Sequence, residues 1–154
     1  LVACLLDLGI LDESGCLDEK CYTVPGTAVS LTQKDIREVQ LAKAAIRAGI
    51  ELMCEHLGVE AEDIRQVLLA GAFGNYMDPR SACRIGMIPP ALLDRIKPIG
   101  NAAGEGAKMC AISREAYEYS KQLAAQTEFL ELASKPEFQD CFVDALEFCE
   151  EEEE

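Results

Sequence analysis

The stretch Val67-Leu68-Leu69-Ala70-Gly71-Ala72-Phe73-Gly74-Asn75-Tyr76 constrains this fold more than any other. Its first four residues are all apolar, which suits a central parallel strand covered on both faces. Gly71 and Gly74 free the backbone where that strand ends, and Asp78-Pro79 supplies an N-cap and a first helical residue. Strand, glycine turn and helix start put free backbone N–H groups at the carboxyl end of a sheet. Phosphates and nucleotides bind at that end in α/β proteins. The same spacing also describes an ordinary tight βα connection, and a single G-x-x-G does not separate the two.

Upstream, Thr32-Gln33-Lys34-Asp35 opens the longest helix, with Thr32 as cap and Asp35 three residues on in capping-box geometry. It runs to about Leu57 and stops at Gly58. Its apolar stripe is Ile36, Val39, Ile46, Ile50, Met53 and Leu57. Lys43 points near the middle of that stripe. Either its stem packs while the ammonium reaches the edge, or the face borders a cleft and Lys43 enters it.

Before this helix, residues 1–10 read as a helix ending near Gly9, and two short strands, at 16–24 and 28–31, read as a hairpin around Pro25-Gly26. After the glycine turn come a short helix from Pro79, a turn at Pro89-Pro90 and a strand at 97–99. The segment Asn101-Ala102-Ala103-Gly104-Glu105-Gly106-Ala107-Lys108 then starts a helix capped by Asn101. Gly104 and Gly106 each cost about 1 kcal/mol relative to Ala in a helix, so close approach by a ligand or tight helix packing must account for them. Ser113 caps a further helix, Thr127 to Leu132 is a strand candidate, and Pro136 opens a last helix with the stripe Phe138, Cys141, Phe142, Ala145, Leu146 and Cys149.

Charge excludes one class of partner. The net charge is −14, and residues 137–154 carry nine acids and no Lys or Arg, leaving 19 acids against 14 bases elsewhere. Nucleic-acid binding needs a basic face, so no nucleic-acid partner is expected. The terminal glutamates read as a solvated tail over 150–154. No apolar run approaches membrane-spanning length, and no membrane role is expected. The start lacks Met and carries Asp7, which suits a helix cut from a longer protein better than a signal peptide. The eight cysteines form no C-x-x-C pair and there is one histidine, His56, so no metal site is expected. They read as reduced structural thiols of a cytoplasmic protein. With one histidine, no Ser-His-Asp or Cys-His constellation is credible.

Three ordered segments, 31–46, 69–76 and 99–108, together resemble the C-terminal part of the reductive activators of corrinoid proteins, over about residues 1–149. That family is similar to the actin, sugar-kinase and heat-shock chaperone ATPase superfamily. The resemblance implies an α/β fold: one lobe of an actin-like, ribonuclease H-like ATPase, with a mixed sheet flanked by helices and a small helical and hairpin subdomain. It implies that Gly71, Ala72, Phe73, Gly74 and Asn75 approach adenosine and its phosphates, that Asn101 to Gly106 begin a helix between lobes, with Asn101 and Gly104 at the nucleotide, and that Lys34, Arg37 and Lys43 face the cleft. The implied activity is ATP-driven reduction of inactive Co(II) corrinoid proteins of methyltransferase systems to Co(I). ATP with magnesium would be the cofactor, and an iron–sulfur cluster would lie in an N-terminal domain outside these residues. The triphosphate-handling half and its catalytic groups would also lie upstream, so this chain alone is expected to bind nucleotide weakly and not to turn it over. The corrinoid protein is the implied partner, and an exposed sheet edge makes a homodimer an option. Two alternatives stand beside this: an ATPase activator of another redox enzyme, of the dehydratase-activator type, or a docking scaffold without catalysis.

Overall fold

The computed structural model describes residues 1–132 and 134–148, with backbone alone at 72, 73 and 75. Cys149 and the tail at 150–154 lie outside the described residues. The element order is α1 (Val2–Asp7), β1 (Cys21–Thr23), β2 (Ser30–Thr32), α2 (Gln33–Leu57), β3 (Val67–Ala70), α3 (Gly71–Tyr76), α4 (Pro79–Arg84), β4 (Ile96–Gly100), α5 (Ala102–Ile112), α6 (Arg114–Gln126) and α7 (Pro136–Asp144). The class is α/β, as expected, but the sheet is in two pieces. β1 and β2 pair antiparallel as the hairpin, and β3 and β4 pair parallel.

Local chemistry sets the helix ends. Thr32 accepts from the Asp35 N–H while the Asp35 carboxylate accepts from the Thr32 N–H at 2.8 Å, a complete capping box. Gly58 ends α2 at φ +66°, where a side chain would be strained. Asp78, Asn101 and Ser113 each accept from the N–H three residues on, capping α4, α5 and α6.

Two apolar clusters hold these elements. One joins Ala3, Leu5 and Leu6 of α1 to Leu11, Ile36, Ile85 and Phe148. The other packs Ala82, Cys83, Ile88 and Leu92 against Val67, Leu69 and Ile96. An ion pair at 2.7 Å between Arg84 and Asp7 ties α4 to α1.

Three expectations need correction. β3 is not covered on both faces: Val67 and Leu69 are half-buried on the second cluster, while Leu68 is 52% exposed and Ala70 is exposed. An all-apolar strand says that both faces tolerate burial, not that both faces find a cover. The packed face of α2 is Ile36, Gln40, Lys43, Ala44, Ala48 and Leu52, with Gly49 beside it, rotated from the expected stripe. Ala44 and Ala48 keep the packed face low and Gly49 lies against Leu132, whereas Ile46, Met53 and Leu57 remain exposed. Finally, residues 127–132 form no strand. They run as an irregular segment whose Leu132 lies against α2 near Gly49.

Candidate functional site: two glycine exits at one sheet end

Ala70 pairs with Gly100, so the parallel strands end side by side. Neighbouring strands lie about 4.8 Å apart, which sets the distance between the two exits. Both leave the sheet through a left-handed glycine, Gly71 at φ +86° and Gly100 at φ +66°. Gly100 was not among the expected site residues. The signal was available, because a glycine ending a strand directly before an N-cap is a left-handed exit.

The chain then enters a helix at each exit. α3 begins at Gly71 itself and packs on β3 and β4. The expected open turn at 71–74 is thus already the first helical turn. Gly74 is needed there because a Cβ at this position would sit 2.7 Å from the Leu69 carbonyl oxygen and 2.8 Å from its carbon. At Gly71 the opposite holds: an added Cβ meets nothing within 4 Å among the described residues, so the backbone borders open space there. The backbone of Ala72, Phe73 and Asn75 lies in α3, but their side chains lie outside the described structure.

On the β4 side, Asn101 Oδ1 accepts from the Gly104 N–H at 3.0 Å. A Cβ on Gly104 would come within 2.5 Å of the Asn101 amide nitrogen. Gly104 is therefore explained by its own cap, and Gly106 has open space beside it. Below the turn, the Asp78 carboxyl is held under its usual range by the Ser81 N–H and hydroxyl. The arrangement offers backbone N–H groups, a helix N-terminus at α5 and unobstructed backbone at Gly71, which suits a ribose or phosphate edge.

The three cations sit elsewhere. Lys34 and Arg37 are exposed in the first turns of α2. α2 packs on α7 and the end of β2, and among the described residues it shares no extended packing with β3, β4, α3 or α5. Lys43 is 1% exposed. Its ammonium donates to the Glu147 carbonyl and lies 5.2 Å from the centroid of the Phe148 ring. One turn away, the buried Gln40 amide donates to Ser14 O at 2.9 Å and Leu146 O at 3.1 Å. The Phe148 N–H in turn donates to Glu13 O at 2.8 Å. Lys43 and Gln40 thus hold segment 145–148 onto the turn at 12–15. Snorkelling and cleft entry are both replaced by this internal seat. Gln40 was not singled out, although an amide on an apolar face was its signal.

Among the described residues no cluster of three or more His, Cys, Asp or Glu side chains is placed to hold a metal ion. Cys54 and Cys141 have thiols pushed up by burial and then by neighbouring acids, which keeps them protonated. Among the described residues no helix is long and apolar enough to cross a membrane.

A family model described as the C-terminal domain of RACo, the ASKHA domain, matches residues 8–154. The chain is 39% identical over 118 residues to the corrinoid activation enzyme RamQ of Eubacterium limosum, covering 77% of this chain and 20% of that protein. It is 32% identical over 78 residues to the [Co(II) methylated amine-specific corrinoid protein] reductase of Methanosarcina barkeri, covering 51% and 14%. A solved reductive activator for corrinoid, iron-sulfur protein superposes with a TM-score of 0.84 at 29% identity, over 96% of this chain and 27% of that one. This chain therefore spans between about a seventh and about a quarter of the relatives it matches. By its residues, its fold and these matches, the chain belongs to the family of C-terminal ASKHA domains of RACo.

Proposed function

We propose that this chain supplies the adenosine side of a nucleotide cleft in an ATP-dependent reductive activator. The activator returns corrinoid proteins of methyltransferase systems from inactive Co(II) to Co(I). The observation that carries the reading is the pair of left-handed glycine exits, Gly71 and Gly100, side by side where two parallel strands end. Ligands of open α/β sheets sit outside that end. The relatives' names, corrinoid activation enzyme and corrinoid protein reductase, supply the reaction class.

In this reading the backbone at Gly71 to Asn75 lies along the nucleoside, and the first turn of α5, from Asn101 to Gly104, closes the adjacent edge. Bound ATP supplies the free energy for an uphill one-electron step, Co(II) plus an electron giving Co(I). An iron–sulfur domain elsewhere in the activator would supply the electron. The described residues do not fit an iron–sulfur cluster, so no such chemistry is assigned to them.

The test uses the longer activator that contains this chain, a Co(II) corrinoid protein, a low-potential reductant and ATP. Co(II) is paramagnetic and Co(I) is not, so loss of the Co(II) resonance signal reports the reaction. We expect the loss to require ATP and to be suppressed by Gly71→Val. ATP hydrolysis that leaves Co(II) untouched would indicate an activator of the dehydratase type instead. Reduction that proceeds equally without ATP would end the nucleotide reading.

A further inference from the structure

A helix that packs through one face normally presents polar residues on the other. α2 does not. Ile46, Ile50, Met53 and Leu57 follow one another at steps of four, three and four residues, the spacing of a seam for a second helix. They span about 16 Å of helix at 1.5 Å per residue. Ile50 is half-buried, whereas Ile46, Met53 and Leu57 are 45%, 47% and 71% exposed. Exposed Ala42, one turn before Ile46, continues the strip with a small side chain, so a partner could approach closely there. The face towards Gly49 is already taken by Leu132, and α7 packs on α2 as well. What remains open is one apolar strip with helical spacing.

We infer that this strip is the seat of an amphipathic helix from the remainder of the longer polypeptide to which this chain corresponds. Two observations select that occupant. This chain reproduces 96% of its own fold inside a solved chain of which it is only 27%, so most of such a polypeptide is available to cover it. A second copy is disfavoured because each chain carries a net charge of −14, and two such chains repel. The 4-3-4 spacing suits a helix laid at about 20° rather than a strand, whose side chains repeat every two residues. The seam stands whatever nucleotide the glycine exits take, since no residue is shared.

Native Met53 is the probe. Hydroxyl-radical oxidation is read by mass spectrometry on the protein as expressed from its gene and on the 154-residue chain. Met53 should oxidise at least about tenfold more slowly in the longer protein, because a residue in a closed seam reacts only through local opening. As a second measurement, Met53→Glu should lower the melting temperature of the longer protein while leaving that of the 154-residue chain unchanged. Equal oxidation rates, or a gene product with no further chain, would overturn the inference. So would protection that appears in the 154-residue chain as its concentration rises, which would assign the seam to a second copy.

Discussion

The same substitution, glycine to alanine, should change sign between two helices of this protein. In α5, Gly106 has open space beside it and helical backbone. Gly106→Ala should therefore stabilise by about 0.5–1 kcal/mol, the helix-propensity difference. In α3 the same propensity gain is available at Gly74, but the new Cβ would lie 2.7 Å from Leu69 O, 2.8 Å from Leu69 C and 3.0 Å from Leu69 Cβ. Two of these three atoms belong to the strand backbone, which has no rotamer to change. Relief requires α3 to move away from β3, and overpacking of this kind costs about 1–3 kcal/mol. The clash outweighs the propensity gain, so Gly74→Ala should be destabilising. At a few degrees per kcal/mol for a chain of this length, the two variants should straddle the parent melting temperature. Urea unfolding checks the sign independently through the midpoint. A Gly74→Ala protein as stable as Gly106→Ala would refute the close approach of α3 to β3, and with it the geometry of the exit.

Three further outcomes follow from the same structure. Phe148→Ala should destabilise by about 3–5 kcal/mol, since a ring only 3% exposed is removed from the cluster joining α1, Ile36 and Ile85; urea titration reads it. Asp12 and Asp35 have carboxyls held below the ordinary 3.8, Asp12 first by the Ser14 hydroxyl and Asp35 first by the Thr32 hydroxyl. Folded carboxyls below the unfolded value contribute stability that is complete well above 3.8 and lost as pH falls through and below it. The urea midpoint should therefore drop below that pH, and Asp35→Asn should flatten part of the drop. Iodoacetamide at neutral pH should modify exposed Cys16 and Cys21 before Cys54 and Cys141, whose thiols are raised by burial. Peptide mass spectrometry gives the order, and faster labelling of Cys54 would contradict its environment.

The features legible in the sequence were those decided within a few residues. Thr32 with Asp35, Gly58, Asp78, Asn101 and Ser113 each fix a helix end through a side chain or a φ angle carried locally. The hairpin and the apolar strand at 67–70 were readable for the same reason. What failed depended on partners. The large apolar residues of α2 point to Ile46, Met53 and Leu57, yet the small residues Ala44, Ala48 and Gly49 are the buried ones, because a helix buries the face its partners reach rather than the face with the largest side chains. Thr127 to Leu132 has strand composition, but a strand needs an edge to pair with, and its Leu132 packs on α2 instead. Lys43 was ambiguous because its seat is built from Glu147 and Phe148, more than a hundred residues away. At the candidate site, the glycine spacing pointed to the exit at Gly71, but only the register between Ala70 and Gly100 places the second exit beside it.

The central claim is that the exits after β3 and β4 form one edge of a nucleotide cleft. Its most direct test is an amide chemical-shift map of the 154-residue chain titrated with ADP. Because the chain is expected to carry only part of the site, the titration should extend to millimolar ADP. The account predicts shifts that saturate together at Gly71 to Tyr76 and at Gly100 to Gly104, with α7 and the β1–β2 hairpin unmoved. Shifts confined to other elements, or none at these two exits at millimolar ADP, would contradict it.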